Sequence, residues 1–126
     1  MKTIIPYVIA LFVASTALAA DDKNAAALLT SELRAQAPAK WEVHVRWRET
    51  DLLLATITPW PYQEAFELWY DPSALFGKMA ALCPQADDAV WGLIAPNQDI
   101  VLEPTVGGKT GVEARVNCRK VAAQAR

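Results

Sequence analysis

The chain has 126 residues, with 12 Lys and Arg against 14 Asp and Glu, so its formal net charge at pH 7 is −2. Nucleic-acid-binding domains usually carry a basic patch and a high pI, and this mildly acidic composition therefore argues against binding to a phosphate backbone. The length suits a single domain with a modest hydrophobic core.

The N-terminus has the three parts of a secretory signal peptide. A short stretch containing Lys2 precedes the apolar run IIPYVIALFV, and the small-residue tract ASTALAA ends in an A-x-A cleavage pattern at Ala19, with Ala20 as the alternative. The apolar run is shorter than the about 20 residues that a membrane span requires. We expect residues 1–20 to be cleaved and the remaining chain to be periplasmic or secreted; an uncleaved N-terminal anchor is the alternative.

The chain has only two cysteines, Cys83 and Cys118, and both follow the predicted signal. In an oxidising compartment such a pair usually forms a disulfide, which we predict here. Two free or redox-active thiols are the alternative, but the sequence contains no C-x-x-C motif.

The first half of the chain predicts one helix and three strands. A segment from about Asn24 to Ala37 is rich in Ala and Leu, has apolar residues three and four positions apart, and ends before Pro38, as helices do. Residues 41–48, WEVHVRWR, alternate between apolar and polar side chains and predict a half-buried strand. The apolar run LLLATIT predicts a second strand, and alternation from Glu64 to Tyr70 predicts a third.

The second half predicts a further helix and three more strands. Asp71 followed by proline is a helix-start signal, and the helix should run from Pro72 to Cys83. The run AVWGLI, residues 89–94, predicts a fourth strand, and residues 99–103 predict a fifth. A glycine-rich hairpin turn should join that strand to a sixth at residues 112–118.

This order of elements predicts an α+β fold made of two αβββ units. The segments DLLLATITPWPYQEAFELWY and DIVLEPTVGGKTGVEARVNC share a layout that suggests duplication, although chance similarity remains the alternative. The two units should form an antiparallel sheet of about six strands, with two helices packed on one face. Residues 21–120 would form this domain, and residues 121–126 would be a flexible C-terminal tail.

The catalytic and cofactor motifs that we considered are incomplete in this sequence. Gly108-Lys109-Thr110 is similar to the end of a P-loop, but the glycine required five residues before Gly108 is Glu103. No G-x-S-x-G motif occurs, and a single histidine excludes a histidine-rich metal site. The sequence therefore assigns no catalytic residue, no metal and no cofactor.

His44 is the one side chain whose ordinary pKa lies near physiological pH. It lies on the polar face of the first predicted strand, where it can act as a proton carrier with Glu42 or Glu67, or simply be a solvated strand residue. The charged side chains of these strands predict cross-strand pairs on an exposed sheet face. These residues are Glu42, Arg46, Arg48, Glu67, Glu113 and Arg115.

The segment Pro59-Trp60-Pro61-Tyr62 is the strongest candidate for a binding surface. Trp60 lies in a proline-stiffened loop, where the strand periodicity does not require its burial. Aromatic side chains in such a loop provide a large contact area at low entropic cost. The alternative is that Trp60 folds over the open end of the sheet as a lid on the core.

Three function classes follow. We predict first a non-enzymatic module that binds another protein or an envelope component through the sheet face, including His44, or through Trp60, Pro61 and Tyr62. The second class is a small acid–base hydrolase that uses His44. The third is a carrier of an apolar ligand, in a pocket between sheet and helices lined by Trp47, Trp69 and Trp91.

Overall fold

Two long strands, β2 (Leu52–Thr58) and β3 (Asp99–Val106), run parallel at the centre of the sheet in the computed structural model, which describes residues 22–124. Their register pairs Leu52 with Asp99 and Ile57 with Pro104. Parallel neighbours need a long crossover connection, and here the intervening chain supplies helical segments. The α+β class is confirmed, but the sheet is mixed and not antiparallel throughout.

The outer strands complete an open sheet of five strands. β1 (Glu42–Arg48) pairs antiparallel with β2 over seven residue pairs. On the other side of the sheet, β4 (Lys109–Thr110) and β5 (Val116–Asn117) both pair antiparallel with β3. The two strands predicted in the first hairpin are therefore confirmed, as is the turn between β3 and β4 at Gly107 and Gly108.

Four α-helices and two 3₁₀ helices lie within residues 22–124. The α-helices are α1 (Asp22–Gln36), α2 (Tyr62–Trp69), α3 (Pro72–Ala81) and α4 (Cys118–Gln124), and the 3₁₀ helices are Ala89–Leu93 and Val112–Ala114. The predicted helices correspond to α1 and α3, and the Asp71 carboxylate caps α3 by accepting a hydrogen bond from Ala74 N at 3.2 Å. None of the helices in the described part of the chain is long and apolar enough to span a membrane.

The hydrophobic core lies on the face of the sheet that the helices cover. Alternate residues of each strand point to this face, because successive side chains of a strand point to opposite sides. Its fully buried members include Leu53, Ile57, Ile100 and Leu102 from the strands, and Leu29, Leu33, Leu75 and Met79 from α1 and α3.

The predicted third strand, Glu64–Tyr70, is wrong because this segment belongs to α2. Phe66, Leu68 and Tyr70 fit a strand period, but the buried pair Ala65 and Leu68 has helical spacing. Short apolar segments of this kind fit both periods, and the crossover between β2 and β3 requires a helical segment.

The predicted fourth strand is also wrong, and the predicted sixth strand is confirmed only at Val116–Asn117. Residues 89–94 contain a 3₁₀ helix instead, whose start is fixed by the Asp88 carboxylate accepting a hydrogen bond from Val90 N at 2.9 Å. Residues 112–118 contain a 3₁₀ helix, the two residues of β5 and the first residue of α4. The two halves of the chain therefore contain different elements and do not form two αβββ units.

The C-terminal segment continues as helix beyond the predicted domain. Residues 121–124, which the sequence analysis assigned to a flexible tail, belong to α4, and Ala122 is buried. The predicted signal peptide, residues 1–20, lies outside the described residues.

Candidate functional site: an aromatic row on α2

Three aromatic side chains form an exposed row along α2 and its C-terminal cap. Tyr62, Phe66 and Tyr70, which we call the aromatic row, are four residues apart and so lie on one side of a helix. Their exposed fractions are 51%, 38% and 78%, while Ala65 and Leu68 on the opposite side are buried in the core. A contiguous exposed apolar surface of this kind marks interaction sites in soluble proteins more often than single exposed residues do.

The rings of the row contact one another. Tyr62 and Phe66 meet edge to face, with ring centroids 4.6 Å apart. Phe66 and Tyr70 are nearly parallel, with an interplanar angle of 13° and centroids 6.3 Å apart. Each ring limits the rotation of its neighbour, which reduces the side-chain freedom that the row can lose on binding.

The tip of the β3–β4 hairpin lies beside the row. Gly107 and Gly108 have positive φ angles of 60° and 78°, which glycine adopts without strain. A methyl group at Gly107 would lie 3.5 Å from the Tyr62 hydroxyl oxygen, so the hairpin and the row are in contact.

Beside this contact, a groove of about 270 Å³ lies between the row and the hairpin. Its remaining walls are Trp69, Val106, Gly107 and Lys109. The lining is therefore of mixed polarity, with four aromatic side chains beside polar groups that include the positively charged Lys109. We call this depression the hairpin groove.

A second pocket, of about 350 Å³, lies against Trp69 and α3. Its lining includes Leu75, Val112 and Glu113. Gly111 is closely packed here, because a methyl group at this position would lie 3.1 Å from Pro104 Cγ and 3.3 Å from Trp69 Cζ3. Trp69 thus lines both the hairpin groove and this second pocket. The packing of Trp69 against Gly111 therefore influences the shape of both.

The predicted Trp60 loop leads directly into the aromatic row. Trp60 is 49% exposed, its backbone carbonyl accepts a hydrogen bond from Trp41 Nε1 at 3.0 Å, and Pro61 is the N-cap of α2. Pro59 is the fully buried residue of this loop, so Pro59 and not Trp60 fills the core. Tyr62, the second aromatic residue of the predicted loop, is the first member of the row.

His44 lies apart from the other predicted site residues on the exposed sheet face, where it is opposite Thr56 of β2. Glu67 belongs to α2 and not to a strand, so the alternation that placed it near His44 is wrong. In residues 22–124, no three His, Cys, Asp or Glu side chains form a group that could hold a metal ion.

Among the described residues, no salt bridge joins two of the six charged side chains that were predicted to pair across an exposed sheet face. Arg115 pairs with the buried Glu103 at 2.7 Å. Glu113, which the sequence analysis placed in a strand, lies in the second 3₁₀ helix. The prediction that Glu67 and Glu113 lie on strands and take part in cross-strand pairs is therefore wrong.

The three tryptophans predicted to line a carrier pocket have different surroundings. Trp47 Nε1 donates to Asp22 O at 2.9 Å, and Trp91 Nε1 donates to Gln85 O at 2.8 Å. The Arg119 guanidinium lies 4.8 Å from the centroid of the Trp91 ring, whereas Trp69 borders the hairpin groove. The predicted common wall is therefore not formed.

The sequence analysis missed an acidic pair between α1 and the first 3₁₀ helix. Burial, followed by a hydrogen bond with Asp88 and the negative charge of that residue, together raise the pKa of Glu32 to about 7. Asp88 also caps the 3₁₀ helix, so this pair joins two elements that pack against each other.

The predicted disulfide between Cys83 and Cys118 is confirmed, with a Cα–Cα distance of 5.3 Å. Cys83 follows the end of α3 and Cys118 begins α4, and both residues are buried. The bridge therefore holds the C-terminal helix against α3.

Comparisons with protein-family models, with curated proteins and with solved structures found no match for this chain. The functional argument therefore rests on the geometry of the site alone.

Proposed function

We propose that this protein is a non-enzymatic binding module of an exported compartment and that it docks a partner protein through the aromatic row and the hairpin groove. The observation that carries the proposal is the exposure of three contacting aromatic side chains beside a concave surface. Tyrosine and tryptophan dominate the binding energy of protein interfaces, because they bury a large area at a small entropic cost.

The size of the groove favours a protein partner over a small molecule. Small-molecule sites usually have volumes of about 300–1,000 Å³ and enclose most of the ligand. The hairpin groove, at about 270 Å³, lies at the lower end of this range and is bordered by the exposed aromatic row, so it suits one large side chain of a partner. Lys109 at the same groove would favour an acidic residue next to that side chain.

The disulfide supports the proposed location. Such bridges persist in oxidising compartments and are rare in reducing ones. The bridge between Cys83 and Cys118 is therefore consistent with the periplasmic or secreted location that the N-terminal signal pattern predicts.

The proposal is tested by capturing partners from the compartment to which the protein is exported and then titrating the captured partner against variants. We expect Phe66→Ala and Tyr70→Ala each to weaken binding at least about tenfold, the effect of losing an interface residue that contributes about 1.4 kcal/mol. Phe76→Ala is the matched control, because Phe76 is an exposed phenylalanine on α3 outside the row.

The measurement also separates binding from folding. Tyr70 is the most exposed member of the row, so its replacement should leave the melting temperature unchanged. If the row variants bind as well as the Phe76 control does, the aromatic row is not the docking surface.

A further inference from the structure

β1 is a long outer strand with only one neighbour in the described sheet. It pairs with β2 along Glu42–Arg48, whereas the outer strands on the other side, β4 and β5, have two residues each. Its register with β2 is continuous, without a bulge, and it contains no proline. Proteins usually block such edges with bulges, prolines or a covering segment, because an open edge pairs readily with another strand.

The backbone of β1 has hydrogen-bonding groups available outside the β1–β2 pair. The guanidinium of Arg34 on α1 donates to Val43 O at 3.3 Å, so this carbonyl points away from β2, and a strand that pairs here would have to share or replace the Arg34 contact. In an antiparallel pair, alternate residues direct both backbone groups away from the partner. Val45 and Trp47 should therefore present their groups on the same side as Val43.

The sequence of β1 is complementary to itself in the antiparallel direction. When two copies are paired about Val45, Val43 lies opposite Trp47 and Glu42 lies opposite Arg48. This register pairs all seven residues of the strand and forms two symmetry-related acid–base pairs. A register centred on Arg46 would instead place two arginines opposite each other, which is unfavourable.

The side chains of β1 also leave apolar surface to cover. Val45 and Trp47 belong to the helix-facing side of the sheet but are only half-buried, because β1 has no further strand beside it. In the self-paired register, Trp47 of one copy lies opposite Val43 of the other, and the two Val45 side chains face each other.

We infer that two copies of this chain form a two-fold symmetric dimer by antiparallel pairing of their β1 strands about Val45. The two sheets join into one continuous sheet, and the same surface is used on both copies, as a two-fold interface requires. The aromatic row lies on α2, outside β1, so the dimer presents two copies of the proposed docking surface.

The inference is tested by sedimentation velocity of the purified, disulfide-bonded protein and three charge variants at pH 7.5. We expect the unmodified protein to dimerise at micromolar concentration. Glu42→Arg and Arg48→Glu should each raise the dimer dissociation constant at least about fivefold, since each variant places like charges opposite each other twice in the dimer. The double variant exchanges the two charges and should restore dimerisation to within about threefold of the unmodified protein.

These variants are suitable because they change no pair within one copy. Glu42 is exposed opposite Thr58, and Arg48 is exposed opposite Leu52. Glu113→Arg is the matched control, because Glu113 is exposed in the second 3₁₀ helix, and it should leave dimerisation unchanged. A protein that stays monomeric at several hundred micromolar, or a double variant that is not rescued, would overturn the inference.

Discussion

Arg115 neutralises the side chain of Glu103, a carboxylate that is only 8% exposed, through a hydrogen bond of 2.7 Å from Nε. Glu103 belongs to β3, and Arg115 immediately precedes β5. The two side chains meet where β3 and β5 are adjacent in the sheet. Burying an unpaired charge is costly, so the pair fixes how the C-terminal segment attaches to the sheet.

Removal of Arg115 should therefore destabilise the fold. Arg115→Ala leaves the buried carboxylate of Glu103 without its partner, and we expect it to lower the free energy of unfolding by about 2 kcal/mol. Urea denaturation measures this loss. The double variant Arg115→Ala, Glu103→Gln also removes the buried charge and should recover part of the stability. If Arg115→Ala lowers the free energy of unfolding by less than about 0.5 kcal/mol, the pair is unimportant for stability.

The Cys83–Cys118 bridge should contribute strongly to stability. It closes a loop with a sequence separation of 35 residues, for which loop entropy predicts about 3–4 kcal/mol. Urea denaturation with and without reductant should show this difference. Unchanged mass after alkylation of the denatured, non-reduced protein checks the bridge directly, whereas two added labels would contradict it.

The Glu32–Asp88 pair should make stability depend on pH. The folded protein holds a proton on Glu32 up to about pH 7, but the unfolded chain releases it near the ordinary pKa of 4.5. Stability from this group is therefore fully present below pH 4.5 and is lost as the pH rises to 7 and above.

Melting temperatures of the unmodified protein and Glu32→Gln between pH 4 and pH 8 measure this contribution. Because glutamine does not titrate, we expect the variant to gain stability relative to the unmodified protein as the pH rises through this range. A constant difference in melting temperature between the two proteins at all pH values would contradict the raised pKa of Glu32.

Trp60 and Trp41 should respond differently to replacement by alanine. The half-exposed ring of Trp60 contributes little to the core, and the hydrogen bond from Trp41 ends on its backbone carbonyl, which alanine retains. We expect Trp60→Ala to change the free energy of unfolding by less than about 1 kcal/mol, and Trp41→Ala to cost about 3–5 kcal/mol. If the two variants lost equal amounts of unfolding free energy, Trp60 would instead cover the core as a lid.

The elements that could be predicted from the sequence are those with one clear period or a strong local signal. The alternation in β1, the Asp71-Pro72 start of α3 and the two glycines of the β3–β4 turn each specify their structure locally. The parallel pairing of β2 with β3 could not be predicted, because it depends on a crossover in which α2 and the first 3₁₀ helix were read as strands.

Of the candidate site, only Tyr62 and the loop before it were predicted from the sequence, because α2 was read as a strand. As a strand, the segment after Tyr62 would place Phe66 and Tyr70 on one face with the buried Leu68. As a helix, it places Phe66 and Tyr70 with Tyr62 on the outside and Leu68 in the core. The spacing of these three aromatics by four residues was the available signal for the row.

The parallel pairing at the centre of the sheet also determines the order in which the fold can form during synthesis. The β1–β2 hairpin emerges from the ribosome early, but the inner edge of β2 has no partner until β3 has been made. During this interval the nascent chain carries two open strand edges and an incomplete core, a state that is prone to aggregation.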